Sequence, residues 1–257
     1  MSPYWPIVEA VLPITLKKRA HGGSLSSMNL APKMLEQVGA TSRVRLRASR
    51  THVHANLTSC IIFGRERTVS VESASGVVWG DAVFVDANWA HVVNFHGGAV
   101  DVIYLEPEQS SRFGARQLSK AAQRLLDDQI DEWSVESAAA LLDMLGHAKQ
   151  SLDPAISDIE HRINVDPMLR LSDREASDMA RLERTTMLRR FKRQTGMTFR
   201  AYKNWSALKY AARLIGEGEL LGTAGLDAGF ADAAHFSRQF RATFGLSPTE
   251  ARSYVIA

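Results

Sequence analysis

The period of the apolar positions changes along the chain, and the changes divide it. Over residues 41–105 the period is two: Val44-Arg45-Leu46-Arg47-Ala48 alternates, and so do parts of Arg67-Thr68-Val69-Ser70-Val71-Glu72. Ala82-Val83-Phe84-Val85 and Val100-Asp101-Val102-Ile103-Tyr104-Leu105 follow, and Gly64, Gly76, Gly80 and Gly97-Gly98 punctuate the runs. Short strands at this spacing predict a small antiparallel barrel or sandwich. Residues 1–40 show no clear period; Lys17-Lys18-Arg19 before Gly22-Gly23-Ser24 reads as a solvated loop, with a DNA-contacting arm as the other reading.

Beyond Glu106 the pattern turns helical. Leu118, Ala121, Ala122, Leu125 and Leu126 share a face, opposite Lys120, Arg124, Asp127 and Asp128, and residues 138–145 offer a second apolar stretch. This pair reads as a connecting and dimerising element or as a cover over the strand domain. Pro154, after Asp153, suits the first turn of a helix carrying Ile156, Ile159 and Ile163. Ser172-Asp173-Arg174-Glu175 is a capping box, and the helix it starts runs to about Arg181. A turn at Leu182-Glu183 leads into a helix from Arg184 that stops at Gly196, and a long helix spans residues 199–215. Two short helices then flank Gly229; Phe236, Phe240 and Phe244 give the second one an apolar face, Gly245 suits its end and Pro248 prevents continuation.

The last two pairs of helices are written twice. Arg189-Arg190-Phe191-Lys192 recurs as Arg238-Gln239-Phe240-Arg241, and Thr195-Gly196-Met197-Thr198 as Phe244-Gly245-Leu246-Ser247, at an offset of 238 − 189 = 49 residues. A fixed offset means one supersecondary unit used twice. A short helix with an apolar back, a basic front and a tight turn before it has the layout of a DNA recognition helix.

Gly229-Phe230-Ala231-Asp232, His235-Phe236-Ser237-Arg238, Phe240-Arg241 and Phe244-Gly245-Leu246-Ser247-Pro248 closely resemble the signature of the AraC family of bacterial transcription regulators. The resemblance implies two helix-turn-helix units held by the long helix, so that both recognition helices enter the major groove on one side of a duplex. Arg184, Thr185, Leu188 and Arg189 then fall where bases are read, with Ser237 and Arg238 in the second unit, and Arg190, Lys192, Arg193 and Arg241 fall where phosphates are met. Ala233 and Ala234 offer no hydrogen bond, so the first unit is expected to supply most of the selectivity. Two positions depart from the pattern. Ala231 replaces a common capping serine, a role Asp232 can take, and Arg181 occupies a turn position that is often glycine.

His52-Val53-His54 and, after a turn at Asp86-Ala87-Asn88, His91-Val92-Val93-Asn94 resemble the half-motifs of the cupin fold. On a strand, His52 and His54 point to one side, and with His91 they could hold a divalent transition metal. No carboxylate lies within residues 56–59 where the family has a glutamate ligand. The same histidines otherwise line or rim an effector pocket, or lie inert on the surface.

The bulk properties change this picture little. The chain has 257 residues, a net charge of +3 and 45% hydrophobic residues, which suits one or two soluble globular domains. The single Cys60 excludes an intramolecular disulfide and suits a cytoplasmic home, and its apolar neighbours predict a buried thiol. No apolar run is long enough for a bilayer, and Pro3, Pro6 and Pro13 are unlike a signal peptide. The expected architecture is α+β: an N-terminal cupin-like β-barrel (1–106), a helical connector (107–152) and an all-α tandem helix-turn-helix domain (153–257). The expected function is an effector-sensing, sequence-specific DNA-binding regulator and not an enzyme, with no obligatory cofactor. Its expected partners are an operator duplex, a second copy of the chain and, in an activator, RNA polymerase, with no membrane. A metal-dependent cupin enzyme and a DNA-binding protein without effector are the alternatives.

Overall fold

The computed structural model describes residues 34–107, 114–146, 152–166 and 171–256. The basic run at Lys17-Lys18-Arg19 lies outside them. The strands are β1 (Glu36–Val38), β2 (Thr41–Arg47), β3 (Cys60–Gly64), β4 (Val69–Ser73), β5 (Gly76–Gly80), β6 (Ala82–Val85), β7 (His91–Asn94), β8 (Ala99–Leu105) and β9 (Ala115–Gln117). They form two antiparallel sheets, a six-stranded one in the order β1-β2-β8-β3-β6-β9 and a three-stranded one in the order β5-β4-β7. The sheet-rich N-terminal half is therefore as expected, but among the described residues its strands make two separate sheets and no closed barrel.

The larger sheet is buried on both faces, which explains why alternation fades in its central strands. Val44, Leu46, Cys60, Ile62, Val83, Val85, Val100 and Val102 point into a core shared with Val69, Val71 and Val93 of the smaller sheet. The intervening side chains Ile61, Phe63, Phe84, Ile103 and Leu105 point the other way, onto helices α1 (Lys120–Gln129) and α2 (Val135–Met144). Leu126 and Leu141 close that second core, each fully buried, and each such burial stabilises by about 1.5–3 kcal/mol. Ser119 and Ser134 cap the two helices. Of the two readings of this pair, the covering role is the one the packing displays.

The helical half comprises α3 (Pro154–Val165), α4 (Asp173–Ala180), α5 (Arg184–Thr195), α6 (Phe199–Gly216), α7 (Leu221–Asp227), α8 (Ala233–Phe244) and α9 (Pro248–Tyr254). Local sequence sets nearly every boundary. Asp153 caps α3 with Pro154 in its first turn, and the Ser172/Glu175 capping box opens α4 with both of its hydrogen bonds made. Arg181 ends α4 in the left-handed region at φ 51°, a conformation that costs a non-glycine residue about 1–2 kcal/mol. Gly196 and Gly245 adopt the same region at the ends of α5 and α8. Helices α5 and α8 start 233 − 184 = 49 and end 244 − 195 = 49 residues apart, so the repeat read from four-residue matches extends over both helices. Trp205, Tyr202, Phe191 and Phe236 are among the largest fully buried side chains, and they join the two units around α6.

Candidate DNA-binding interface and domain junction

Each recognition helix is fixed from behind by its apolar face. Met187 and Phe191 of α5 are fully buried, with the Phe191 ring edge-on to Phe199 and Tyr202 at 5.5 and 5.3 Å. In α8, Phe236, Phe240 and Phe244 meet successively, edge-on at 5.6 Å and tilted at 4.6 Å. The preceding helix α7 approaches α8 so closely that a Cβ on Gly225 would lie 2.8 Å from the Phe236 ring. Asp232 caps α8 by accepting from the His235 N–H at 2.6 Å, the substitute for the missing serine. Glu183 caps α5 by accepting from the N–H groups of Thr185 and Thr186, a role the sequence reading did not assign.

The front of each helix carries the predicted residues in several different states. Arg189, Lys192, Arg193 and Arg238 are exposed and form no ion pair or hydrogen bond among the described residues, so their charges are available to a polyanion. Arg184 pairs with Asp173 at 2.5 Å, but both are solvent-accessible, so water and salt screen the pair. Thr185 donates its hydroxyl to Glu183 at 2.5 Å. Leu188 is half-buried against the core, and Ser237 is half-buried. Two residues expected at phosphates are engaged elsewhere. Arg190 is half-buried and bonded to Asp153 at 2.9 Å, tying α5 to the start of α3. Arg241 places Nη2 2.5 Å from His52 Nε2 of the N-terminal half.

That last contact belongs to a junction. The final carbonyls of a helix have no partners within it. At the end of α8 two of them accept from the loop before β3: the His52 N–H bonds Gly245 O at 2.8 Å and the Ala55 N–H bonds Ala242 O at 3.1 Å. The approach is close enough that a Cβ on Gly245 would lie 2.5 Å from His54 Nδ1 and 2.7 Å from Thr51 Cβ. Elsewhere Lys209 of α6 pairs with Glu106 at 2.6 Å, Tyr104 packs on Trp205 at 5.6 Å, and Ile256 donates to the Arg45 carbonyl at 3.1 Å.

The three histidines do not converge. Residues 51–56 form a loop with isolated bridges and not a strand, so His52 and His54 lose the common direction that strand alternation would give. His52 is half exposed and faces Arg241, with Glu250 3.7 Å away. His54 and His91 are buried with ring centroids 4.2 Å apart. Among the described residues, no three His, Cys, Asp or Glu side chains are grouped to hold a metal ion. His52 also lies outside the pocket it was expected to line, whereas His54 and His91 line a small cavity with Asn56, Cys60, Tyr104, Phe244 and Leu246. Burial, then the neighbouring His91, pulls His54 down to about 3, and burial lowers His91 as well. Burial pushes the Cys60 thiol up to about 12, so it is the inert buried thiol expected.

Comparison with known proteins bears on the same features. Residues 176–254 match the family described as Helix-turn-helix domain. No curated protein matches the chain in sequence. Among solved structures it is similar to ToxT from Vibrio cholerae, with a TM-score of 0.59 at 13% identity over 84% of this chain and 98% of that one. A structure of unsaturated fatty acid bound ToxT from the same organism aligns with a TM-score of 0.57 at 12% identity, over 84% of this chain and 95% of that one. The likeness at this identity is one of fold. Two helix-turn-helix units on one long helix, joined to an antiparallel sheet domain, define a DNA-binding transcription regulator. The matched residues contain the stretch in which the sequence resembles the AraC signature.

Proposed function

We propose that the protein is an effector-responsive regulator in which α5 reads the operator bases and α8 mainly grips the backbone. The observation that carries this division is the state of the two fronts. Helix α5 presents Arg189 free, with Arg184 and Thr185 held only by exposed contacts, while α8 begins with Ala233 and Ala234, which offer bases no hydrogen bond, and leaves Arg238 free. An arginine on α5 can give two hydrogen bonds to guanine O6 and N7, worth about 1–3 kcal/mol of discrimination. Lys192 and Arg193 beside it meet phosphates, and Arg238 and Ser237 are the polar readers of α8. Helix α6, with 18 residues at about 1.5 Å each, is a rod of about 27 Å that fixes the spacing of the two readers.

The N-terminal half senses the effector, and the junction at the end of α8 transmits its presence. ToxT is known with an unsaturated fatty acid bound, which supports a small-molecule effector for this chain. Arg241 joins the phosphate contacts once the junction releases it. A cytoplasmic protein acting as a dimer, with RNA polymerase as partner if it activates, completes the reading. No resident cofactor is part of it. The test is genomic footprinting to recover the operator, followed by anisotropy titrations of operator and random duplex. Specific binding that weakens steeply with salt supports the proposal, and equal affinity for both duplexes refutes it.

A further inference from the structure

The cavity behind the α8 junction has a definite chemistry. His91 is 1% exposed, and its Nδ1 stands 2.6 Å from the Trp89 carbonyl oxygen. A carbonyl only accepts, so Nδ1 carries the proton and Nε2 keeps a lone pair. That Nε2 is buried and has no hydrogen-bond partner among the described residues. Asn56, also 1% exposed, gives its amide N–H to Cys60 Sγ at 3.1 Å, which leaves Oδ1 buried and equally unpartnered. His54 Nδ1 likewise stands 2.9 Å from a carbonyl oxygen, that of His52. All three residues line the same cavity. Buried acceptors are seldom left unpaired in folded proteins, so a cavity lined by these two, His91 Nε2 and Asn56 Oδ1, calls for a donor from outside.

The rest of the lining offers an anion no positive charge. Leu46, Ile62, Val93, Phe95 and Val102 are apolar, and no lysine or arginine reaches the cavity. Neither buried histidine is protonated near neutral pH, since burial holds both below their ordinary value. A carboxylate would meet lone pairs and no cation, with the neutral hydroxyls of Tyr104 and Thr51 as donors.

The walls differ in how firmly they are held. Most of the lining sits on strands fixed by sheet hydrogen bonds, but Phe244 and Leu246 flank Gly245 at the end of α8. As it stands the cavity has about 20 Å³, room for one water. Anything larger displaces the Phe244 and Leu246 wall, and with it the bonds that hold α8 to the loop at residues 52–55.

We infer that this cavity takes a neutral, largely apolar molecule bearing a hydrogen-bond donor, of the alkylphenol or alcohol class, and that its entry levers the end of the second recognition helix off the N-terminal half. The inference rests on the N-terminal half being an effector sensor. Calorimetric titration of the full chain with 4-butylphenol, with its methyl ether and with octanoate tests it. The phenol binds about tenfold more tightly than the ether, as expected for one buried hydrogen bond, and octanoate binds more weakly still. His91→Phe, which keeps a ring but removes the lone pair, brings the phenol to the level of the ether. Phe244→Ala enlarges the cavity and tightens phenol binding even if His91→Phe folds poorly. Equal binding of phenol and ether, a preference for octanoate, or no phenol binding to either wild type or Phe244→Ala overturns the inference; the last result means a site for a single water. Operator affinity of the ligand-free protein separates the two failures. If it persists, only the ligand assignment is lost; if it is absent, the regulator reading itself is lost.

Discussion

Replacing Gly245 by alanine tests whether the DNA-binding half is docked as described. The residue ends α8 at φ 73°, so any side chain incurs the left-handed cost of about 1–2 kcal/mol. Alanine also adds a Cβ 2.5 Å from His54 Nδ1 and 2.7 Å from Thr51 Cβ, and overpacking of that kind costs about 1–3 kcal/mol more. Gly97 isolates the second effect. It has the same φ of 73° and nothing within 4 Å of its would-be Cβ, so Gly97→Ala carries backbone strain alone. Thermal unfolding of the two variants, followed by near-ultraviolet circular dichroism of the buried aromatics, gives the difference. In a chain of this size 1 kcal/mol is about 2–4 °C, so Gly245→Ala melts about 2–12 °C below Gly97→Ala. Equal melting temperatures would mean that the loop at residues 51–54 does not pack on α8 in solution, and the route from sensor to DNA would be lost.

Three further outcomes follow from single residues. Arg181→Gly relieves the left-handed strain at the end of α4 and raises stability by about 1 kcal/mol or less, since glycine also loosens the unfolded chain; a lowered denaturation midpoint contradicts this. His54 is neutral in the fold down to about pH 3 but protonates near 6.5 when unfolded, so the unfolded state binds the extra proton. Stability therefore falls by about 1.4 kcal/mol per pH unit below about 6.5, levelling near 3, and His54→Phe flattens that slope in urea titrations across pH. Lys192→Ala weakens operator and random DNA alike and reduces the salt slope of binding by about 1; a loss confined to the operator would make it a base reader.

The helical half was legible because its signals are local. Capping residues at Asp153, Ser172 and Asp232, terminal glycines at Gly196 and Gly245, and phenylalanines four apart each state a boundary or a face within one or two turns. The strand half was legible only where one face differs from the other. Strand β8 is buried along its whole length because α1 and α2 cover its outer side, and a strand buried on both faces carries no alternation. The apparent strand at His52-Val53-His54 misled for the reverse reason: its pattern is that of a loop clamped between two halves of the molecule. Contacts between distant residues, Arg190 with Asp153 and Arg241 with His52, leave no periodic trace, which is why two expected phosphate contacts proved to be engaged within the fold.

The most direct measurement is the ratio of operator to random-duplex affinity for Arg189→Ala against wild type, by fluorescence anisotropy at one fixed salt concentration. Loss of a bidentate contact worth about 1–3 kcal/mol lowers that ratio by about 5- to 150-fold while nonspecific binding changes little. An unchanged ratio would show that α5 does not read the operator through Arg189.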